Sequence, residues 1–562
     1  MKNTKKFLAK LLVAAVCCAV LVSSLSSCEI SEELINSLVE QYLGGSLEDI
    51  LGELDISDPI EDDYGYSDTQ KDNWTDVVGT DPTYTDDNVV DTPSSIVTDI
   101  WMDGGVVPPP EDLDFEGVEV GIAGRPETRY RREISVETPT NPLDMAINMR
   151  NTNTEKQLNV KITFIEADEL WGTSTDANIY NYTKKQMDLG AQSNVDVILG
   201  NAAYTVNTNM LGLLADFNDK TEMLFVNTSK AYWNQSYVNE ATFYDQLYYL
   251  VGDLTLSIYD KAHVTFVNFD LAAEKLGATS DEFYNAVSNG TWTIQKYHDY
   301  VTEFPYLDRG TVGEVDAADD IAISTIFQSE SYDGYYTAFG LDLLKENSDG
   351  SHTITVAGNT LLDKATIKIH ELYSEKGIFH GNTETAFSTF HAGNALFLTD
   401  ILYRNEVQNE QLRAGTDLQY GILPLPLWEQ GQFNKNVSNL GYRTSSQDAH
   451  NAISVIKTHP EKFEAVSATL ELLAYKSYED IRPYYVKRFV QDAGSANMLG
   501  IIMDSVTFNA EMIYSFNVDR FAIDLWRQGC NGTDIETRWE SIRPGAMDAV
   551  ESFDLWYQMN AK

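Results

Sequence analysis

Apolar residues recur along this chain with two periods, and the alternation between them predicts the fold class. Short runs at 117–124 (GVEVGIAG), 159–166 (NVKITFIE) and 195–199 (VDVIL) are rich in β-branched residues and bounded by polar positions, which predicts strands. Between them, 142–157 and 178–192 carry apolar residues at helical spacing, and 211–217 closes this first unit. Farther on, 248–259 (YYLVGDLTLSIY) is strand-rich and leads into a strand at 264–269 (VTFVNF), followed by a helix over 270–276. After Gly290 the text changes to mixed helices and loops up to about Ser388. Strand character returns at 395–399 and 420–423, and 452–474 carries apolar residues at helical spacing. Strand-like runs alternating with amphipathic helices predict an α/β fold with largely parallel sheets. The stretch from Gly117 to Lys562 is too long for one ordinary core and suits two domains.

The first 116 residues follow another pattern. Lys2, Lys5, Lys6 and Lys10 precede an apolar run over 11–22, and Leu25-Ser26-Ser27-Cys28 closes it. A basic head, a short apolar stretch and small residues at its end predict an export signal over 1–27, because a spanning helix needs about 20 apolar residues. From Glu29 to Glu116 there are 25 Asp or Glu against one basic residue, Lys71, so residues 28–116 read as an acidic tether. Its 55–114 part is rich in Asp, Thr, Ser, Gly and Pro, and contains Pro108-Pro109-Pro110. That composition buries too little apolar surface to offset ordering entropy and predicts a solvated linker. Ile30, Leu34, Ile35, Leu38, Val39, Tyr42 and Leu43 do recur at helical spacing before Gly44-Gly45, and a second short piece runs through Leu47, Ile50, Leu51 and Leu54. An acidic helix matches an anionic membrane poorly, so partner docking or no function ranks above membrane binding for this segment.

Charge and cysteine content exclude some chemistry. The net charge of −47 argues against a nucleic-acid partner, since that binding rests on Lys and Arg neutralising phosphates. Of four cysteines, Cys17 and Cys18 leave with the signal, and Cys530 alone stands in the body, so no intrachain disulfide forms there. No G-x-S-x-G, H-E-x-x-H, P-loop or G-x-G-x-x-G occurs, and the eight His are scattered. His380 and His391 flank 387–390 without metal-ligand spacing. The 308–320 stretch (DRGTVGEVDAADD) is faintly similar to a calcium loop but lacks its alternation and terminal Glu. No metal and no cofactor is expected.

Several local patterns, in order, resemble one family. Val195-Asp196-Val197-Ile198-Leu199-Gly200 and then Leu211 to Asn218 (LGLLADFN) resemble its "DVI… GLL.DLN" stretch. The segments 247–253 (LYYLVGD), 266–269 (FVNF) and 290–293 (GTWT) resemble its "YYLPGD", "FYNK" and "GKWT" pieces, with Phe269 where Lys is usual. Residues 387–397, 420–426 (YGILPLP) and 478–485 (YEDIRPYY) resemble its "F..GKAAM", "YGVLPLPK" and "YE.V.P.YYE" elements. The family is the extracellular solute-binding proteins of ABC importers, in the large sugar-binding branch. Leu25 to Cys28 is similar to the lipobox, in which Cys28 would be lipidated. The resemblance is poorest in the tether and beyond about Ser495.

That resemblance implies a periplasmic-binding-protein-like fold: two α/β lobes joined by crossover strands, with ligand in the cleft between them. Lobe one would comprise 117–261 and a return over 395–476, lobe two 262–394, and C-terminal helices over 477–562 would pack across both. It implies a lipid-anchored protein on the extracellular face of the cytoplasmic membrane that captures an oligosaccharide for ABC permease subunits and is not an enzyme. An exported glycoside hydrolase or a surface carbohydrate-adhesion protein is the alternative. Sugars present hydroxyls around apolar C–H faces, so aromatic platforms with carboxylates and amides suit them, and ligands sit beyond strand ends in α/β sheets. Asn201 and Tyr204 follow the 195–199 strand, Asp253 follows the crossover segment, and Asp400 and Tyr403 follow the 395–399 strand. Trp428 follows the Pro424/Pro426 loop, Asn439 and Tyr442 flank Gly441, and Tyr332 and Tyr335 cluster with Tyr336 beside Gly334. These are the candidate ligand-binding residues, with packing as the commoner fate of each aromatic.

Overall fold

Eleven short strands among the described residues build a four-stranded sheet, a five-stranded sheet and a separate two-stranded ribbon of β6 and β7. They are β1 (Val118–Gly124), β2 (Val160–Glu166), β3 (Val197–Asn201), β4 (His263–Asn268), β5 (Ile321–Thr325), β6 (Leu344–Glu346), β7 (His352–Ile354), β8 (Ile378–His380), β9 (Ala395–Ile401), β10 (Tyr420–Pro424) and β11 (Asn451–Val455). The computed structural model describes residues 113–172, 177–208, 210–326, 331–404, 418–490 and 492–560. Cys28, the helical pattern at 30–54 and the linker up to 112 lie outside the described residues.

The first sheet has the order β11-β3-β1-β2. β1 pairs parallel with β2 and β3, and β11 closes the edge antiparallel to β3. The parallel β1–β2 pair needs a crossover, which helix α1 (Pro142–Leu158) supplies. Its start is set by Asn141, whose side chain accepts from the Asp144 N–H, and by Pro142 in the first turn. It ends at Asn159 in the left-handed region, φ 47°. Helix α2 (Ala177–Leu189) joins β2 to β3. β3 and β11 are buried throughout, which is why both read as continuous apolar runs.

The second sheet has the order β10-β4-β9-β5-β8. β4 runs antiparallel to both neighbours, whereas β5 is parallel to β9 and β8. Helices α3 (Ser280–Ser288), α4 (Ile294–Glu303), α5 (Asp333–Ala338), α6 (Thr360–Tyr373) and α7 (Thr383–His391) accompany it. Its core is aromatic: Phe283, Trp292, Tyr297 and Tyr300 meet around Phe397 of β9. The Trp292 indole N–H donates to the Pro424 carbonyl at 2.9 Å, which ties the turn before α4 to β10. The molecule is thus a two-lobed α/β fold.

Two crossovers between the sheets run side by side. Chain leaves the first lobe through Asp260 to His263 and returns through Ser445 to Asn451. They are stitched by His263 N–H to Ser445 O and Gln447 N–H to Lys261 O, both 2.9 Å. The C-terminal helices then divide between the lobes. α8 (Phe463–Lys476) packs on α1 and β1, α9 (Ala493–Asp504) packs on β10, and α10 (Phe521–Cys530) packs on α6.

Four expectations are corrected. The return over 395–476 does not belong wholly to the first lobe: β9 and β10 pair with β4 in the second sheet, and only β11 and α8 return. Local pattern marks a strand but not its partner. The tether does not extend to 116 as solvated chain, because Leu113 and Phe115 pack against Leu158, Val160 and Leu472, and Phe115 N–H donates to Leu158 O at 3.0 Å. The 248–259 run forms single bridges, Leu250 to Ile453 among them, and ends in a helical turn at Ser257–Asp260. It is apolar because it is enclosed on all sides. The 452–474 stretch splits into β11 and α8, with Pro460 opening the turn between them.

Candidate functional site

A cleft with a cavity of about 110 Å³ opens where the two lobes face each other. Each wall follows from local chain chemistry. On the first lobe, Asn201 ends β3 and its side chain accepts from Ala203 N–H at 3.2 Å, starting a single helical turn. That turn presents Ala202, Ala203 and Val206 as a small-residue wall, with Tyr237 beside it. On the second lobe, α5 places Asp333 and Thr337 four residues apart, hence on one helical face. The returning crossover contributes Ser445, Gln447, Asp448 and His450. Phe508, Met512, Arg520 and Arg527 from the C-terminal segments form the last wall. Asp519 and Arg520 both adopt left-handed backbone, φ 57° and 55°, at the start of α10. Non-glycine residues hold that conformation only where surrounding structure imposes it.

The charges are paired across this space. Arg527 Nε lies 3.1 Å from both oxygens of Asp333, a fork that fixes the guanidinium against α5. Burial works against the Arg527 charge, but the Asp333 bond and charge outweigh it and raise its pKa. Asp448 is exposed at the cleft, where the opposing charges of Arg520 and Arg527 and the like charge of Asp333 act on it. Burial lowers His450 to about 4, so the ring is neutral at neutral pH, with Nδ1 donating to Gln447 O at 2.9 Å. His263 Nδ1 likewise donates to Ser445 O at 3.1 Å. The cleft therefore offers carboxylate acceptors, guanidinium donors and an amide, backed by the buried rings of Tyr237 and Phe508, which pack edge-on at 5.0 Å. That combination can bind hydroxyl groups.

None of the ten residues singled out from the sequence is in the lining of this cavity. Asn201 serves as the cap just described. Tyr204 stacks on Phe516 at 6.0 Å between ring centroids. Asp253 is buried and accepts from Tyr259 OH at 2.8 Å; burial raises its pKa to about 6, against Arg482. Tyr332 and Tyr335 are fully buried in the second lobe, Tyr332 edge-on to Tyr373 and Tyr335 beside Phe339. Asp400 is buried and accepts from Arg404 Nε at 3.2 Å. Tyr403 is half-buried beneath the Arg129 guanidinium, 4.3 Å away. Trp428 is half-buried against Phe339 at 5.2 Å. Asn439 accepts from Gly441 N–H at 3.0 Å, and buried Tyr442 donates to Val287 O at 3.1 Å.

Sequence reasoning missed Asp333, Asp448, Arg520 and Arg527. Asp333 adjoins Tyr332, and the polar run Ser446-Gln447-Asp448 just before β11 was a signal for a crossover lip. Arg520 and Arg527 lie beyond the reach of the family resemblance and carried no local signal. Among the described residues no group of three or more His, Cys, Asp or Glu could hold a metal. The 308–320 loop uses its carboxylates internally: Asp319 Oδ1 accepts from Arg309 and Gly310 N–H, and Asp316 from Thr311 and Ala318 N–H. Among the described residues no helix is long and apolar enough to cross a membrane.

No protein-family model and no curated protein matches the chain. Solved structures similar to it include sugar-binding proteins and substrate-binding proteins of ABC transporters. The sugar-binding protein MalE of Xanthomonas citri is 13% identical with a TM-score of 0.49, covering 78% of this chain and 99% of its own. The galacto-N-biose/lacto-N-biose I-binding protein of the Bifidobacterium longum ABC transporter is 15% identical with a TM-score of 0.45, covering 78% and 98%. A Listeria monocytogenes ABC substrate-binding protein in complex with cycloalternan is 12% identical with a TM-score of 0.43, covering 79% and 100%.

Proposed function

We propose that this chain is an extracellular, lipid-anchored solute-binding protein that captures an oligosaccharide and hands it to the permease of an ABC importer. The observation that carries the proposal is the cleft: two α/β lobes, joined by paired crossovers, face each other across Asp333, Asp448, Arg520 and Arg527. Inter-lobe clefts are common small-molecule sites, and crossovers of this kind permit hinge closure around a ligand. The anchor rests on Cys28 at the end of the apolar run, and the permease partner on the ordered sequence patterns between Val195 and Tyr485.

Thermal melting of the protein against a panel of mono- and oligosaccharides tests the reading. A ligand at 100 times its Kd stabilises the folded state by about 2.7 kcal/mol. A shift with one saccharide class, with the saccharide recovered intact on chromatography, supports capture. Absence of any shift removes the sugar assignment. A consumed saccharide means a hydrolase, with Asp333 and Asp448 the first carboxylates to test.

A further inference from the structure

Two side chains that line the cleft each carry a polar atom that the protein itself leaves unsatisfied. His450 and Tyr237 are both buried, and both line the cavity between the lobes. The His450 ring is oriented by its own turn, because Nδ1 donates to Gln447 O at 2.9 Å. That bond makes Nδ1 the protonated nitrogen and leaves Nε2, at the outer end of the ring, a bare lone pair. Nε2 has no hydrogen-bond partner in the protein, and neither has the Tyr237 hydroxyl. Among the described residues, no other side chain lining the cleft has a buried polar atom in that condition; Tyr249, Thr265 and Ser454 have one but do not line it.

The two side chains share a neighbour. Phe508 packs edge-on against Tyr237 at 5.0 Å and lies 5.3 Å from the His450 ring. Phe508 is held by Ser236, whose hydroxyl donates to Phe508 O at 3.2 Å and accepts from Phe508 N–H at 2.6 Å. Groups beside the pair are engaged elsewhere. Ser446 Oγ approaches His450 at Nδ1, 3.5 Å away. Arg125 and Lys261, whose charges act on His450, donate to Asn451, Ala449 and Gln447. Tyr514, whose charge acts on Tyr237, donates to Ala241 O at 2.8 Å and accepts from Tyr557 OH at 3.1 Å. A buried polar atom without a partner costs stability, so two of them on one cleft point to a group that arrives with a ligand. The pair also selects the chemistry of that group. Nε2 can only accept, whereas the phenol has a hydrogen to donate. A carboxylate cannot donate to Nε2, and an ammonium cannot accept from the phenol. A hydroxyl does both, and a sugar carries several on adjacent carbons.

We infer that Tyr237 and His450 read hydroxyl groups of the bound saccharide, His450 Nε2 accepting from one and Tyr237 donating to the same one or its neighbour. This rests on the saccharide-binding reading above. The test pairs melting of the ligand-free full chain with calorimetric titration against maltotriose, cellotriose, xylotriose and lactose. Without saccharide, Tyr237→Phe should melt about 1 to 3 °C above the unaltered protein, because it deletes a buried hydroxyl that has no partner. The same variant should bind the best of the four saccharides tenfold or more weakly. A tyrosine that only packs would show neither change, since phenylalanine keeps the ring. His450→Leu should also weaken that saccharide tenfold or more, and His450→Gln, whose amide oxygen can stand in for Nε2, should retain more of the affinity. Unchanged affinity in Tyr237→Phe, or melting of that variant below the unaltered protein, overturns the inference but leaves the sugar-binding function standing. Binding of none of the four saccharides overturns both.

Discussion

Replacing Glu471 by Gln should change how stability depends on pH. Glu471 lies on the inner face of α8, 1% exposed, and receives the Tyr232 hydroxyl, the Trp233 indole N–H at 3.1 Å and the Asn227 N–H at 3.1 Å. Burial raises its pKa to about 7, although these donors and Lys220 favour the charged form. In the unfolded chain the same carboxyl titrates near 4.5. A folded-state pKa above the unfolded one means that stability is fully present below pH 4.5 and is lost as pH rises through 7. The displacement corresponds to about 3 kcal/mol across that window. A glutamine of the same shape keeps the bonds: its oxygen accepts from Asn227 and Trp233, and its NH₂ donates to the Tyr232 oxygen. It removes only the titration. Relative to Glu471→Gln, the unaltered protein should therefore be more stable at pH 4.5 than at pH 8.5 by about 3 kcal/mol. For a body of this size that is roughly 3 °C in Tm if it melts as one unit, and about twice that if the first lobe melts alone. Glu133, Glu511 and Asp253 also titrate high because of burial, but they are common to both proteins and cancel in the difference. Calorimetric melting of both proteins at half-unit pH steps gives the answer. Parallel Tm curves between pH 4.5 and 8.5 would refute the argument that this carboxyl is held neutral by burial.

Other expectations concern single residues. Arg527→Met leaves Asp333 in the cleft without its guanidinium; saccharide affinity should fall at least about tenfold by calorimetry, equivalent to ~1.4 kcal/mol. Tyr442→Phe removes one buried bond to Val287 O and should cost about 1 kcal/mol in thermal stability while leaving saccharide affinity unchanged. Lost affinity in that variant would return Tyr442 to the site. Trp292→Ala opens the aromatic core of the second sheet and frees the Pro424 carbonyl, so the second lobe should lose about 3 to 5 kcal/mol in chemical denaturation.

Much of this organisation is legible in sequence because it is local. Short β-branched runs at β1, β2 and β4, helical spacing in α1 and α2, and the Asn141-Pro142 start of α1 are decided by neighbours a few residues apart. The α/β class follows from their alternation, two domains from the length of the body, and the two lobes were implied by the family resemblance. The candidate site was approached within one residue at two walls, Asn201 beside Ala202 and Tyr332 beside Asp333. The large aromatic attracted attention at Tyr332, yet it is the small charged neighbour that faces the cleft, since helical geometry turns the ring into the core.

What tertiary structure alone decided is pairing over distance. Nothing in 395–401 or 420–424 states that these strands join β4, because a buried strand looks the same in either sheet and only the complete packing selects its neighbours. The same holds for charge. Arg527 meets Asp333 across 194 residues, and Arg125 meets Asn451 across 326, so no spacing rule could relate them. The sequence by itself determined the elements, the acidic surplus and the export-like start, all properties of composition and short-range order. The cleft and its paired charges exist only because folding enforces long-range contacts, at positions where the local chain is indifferent to them.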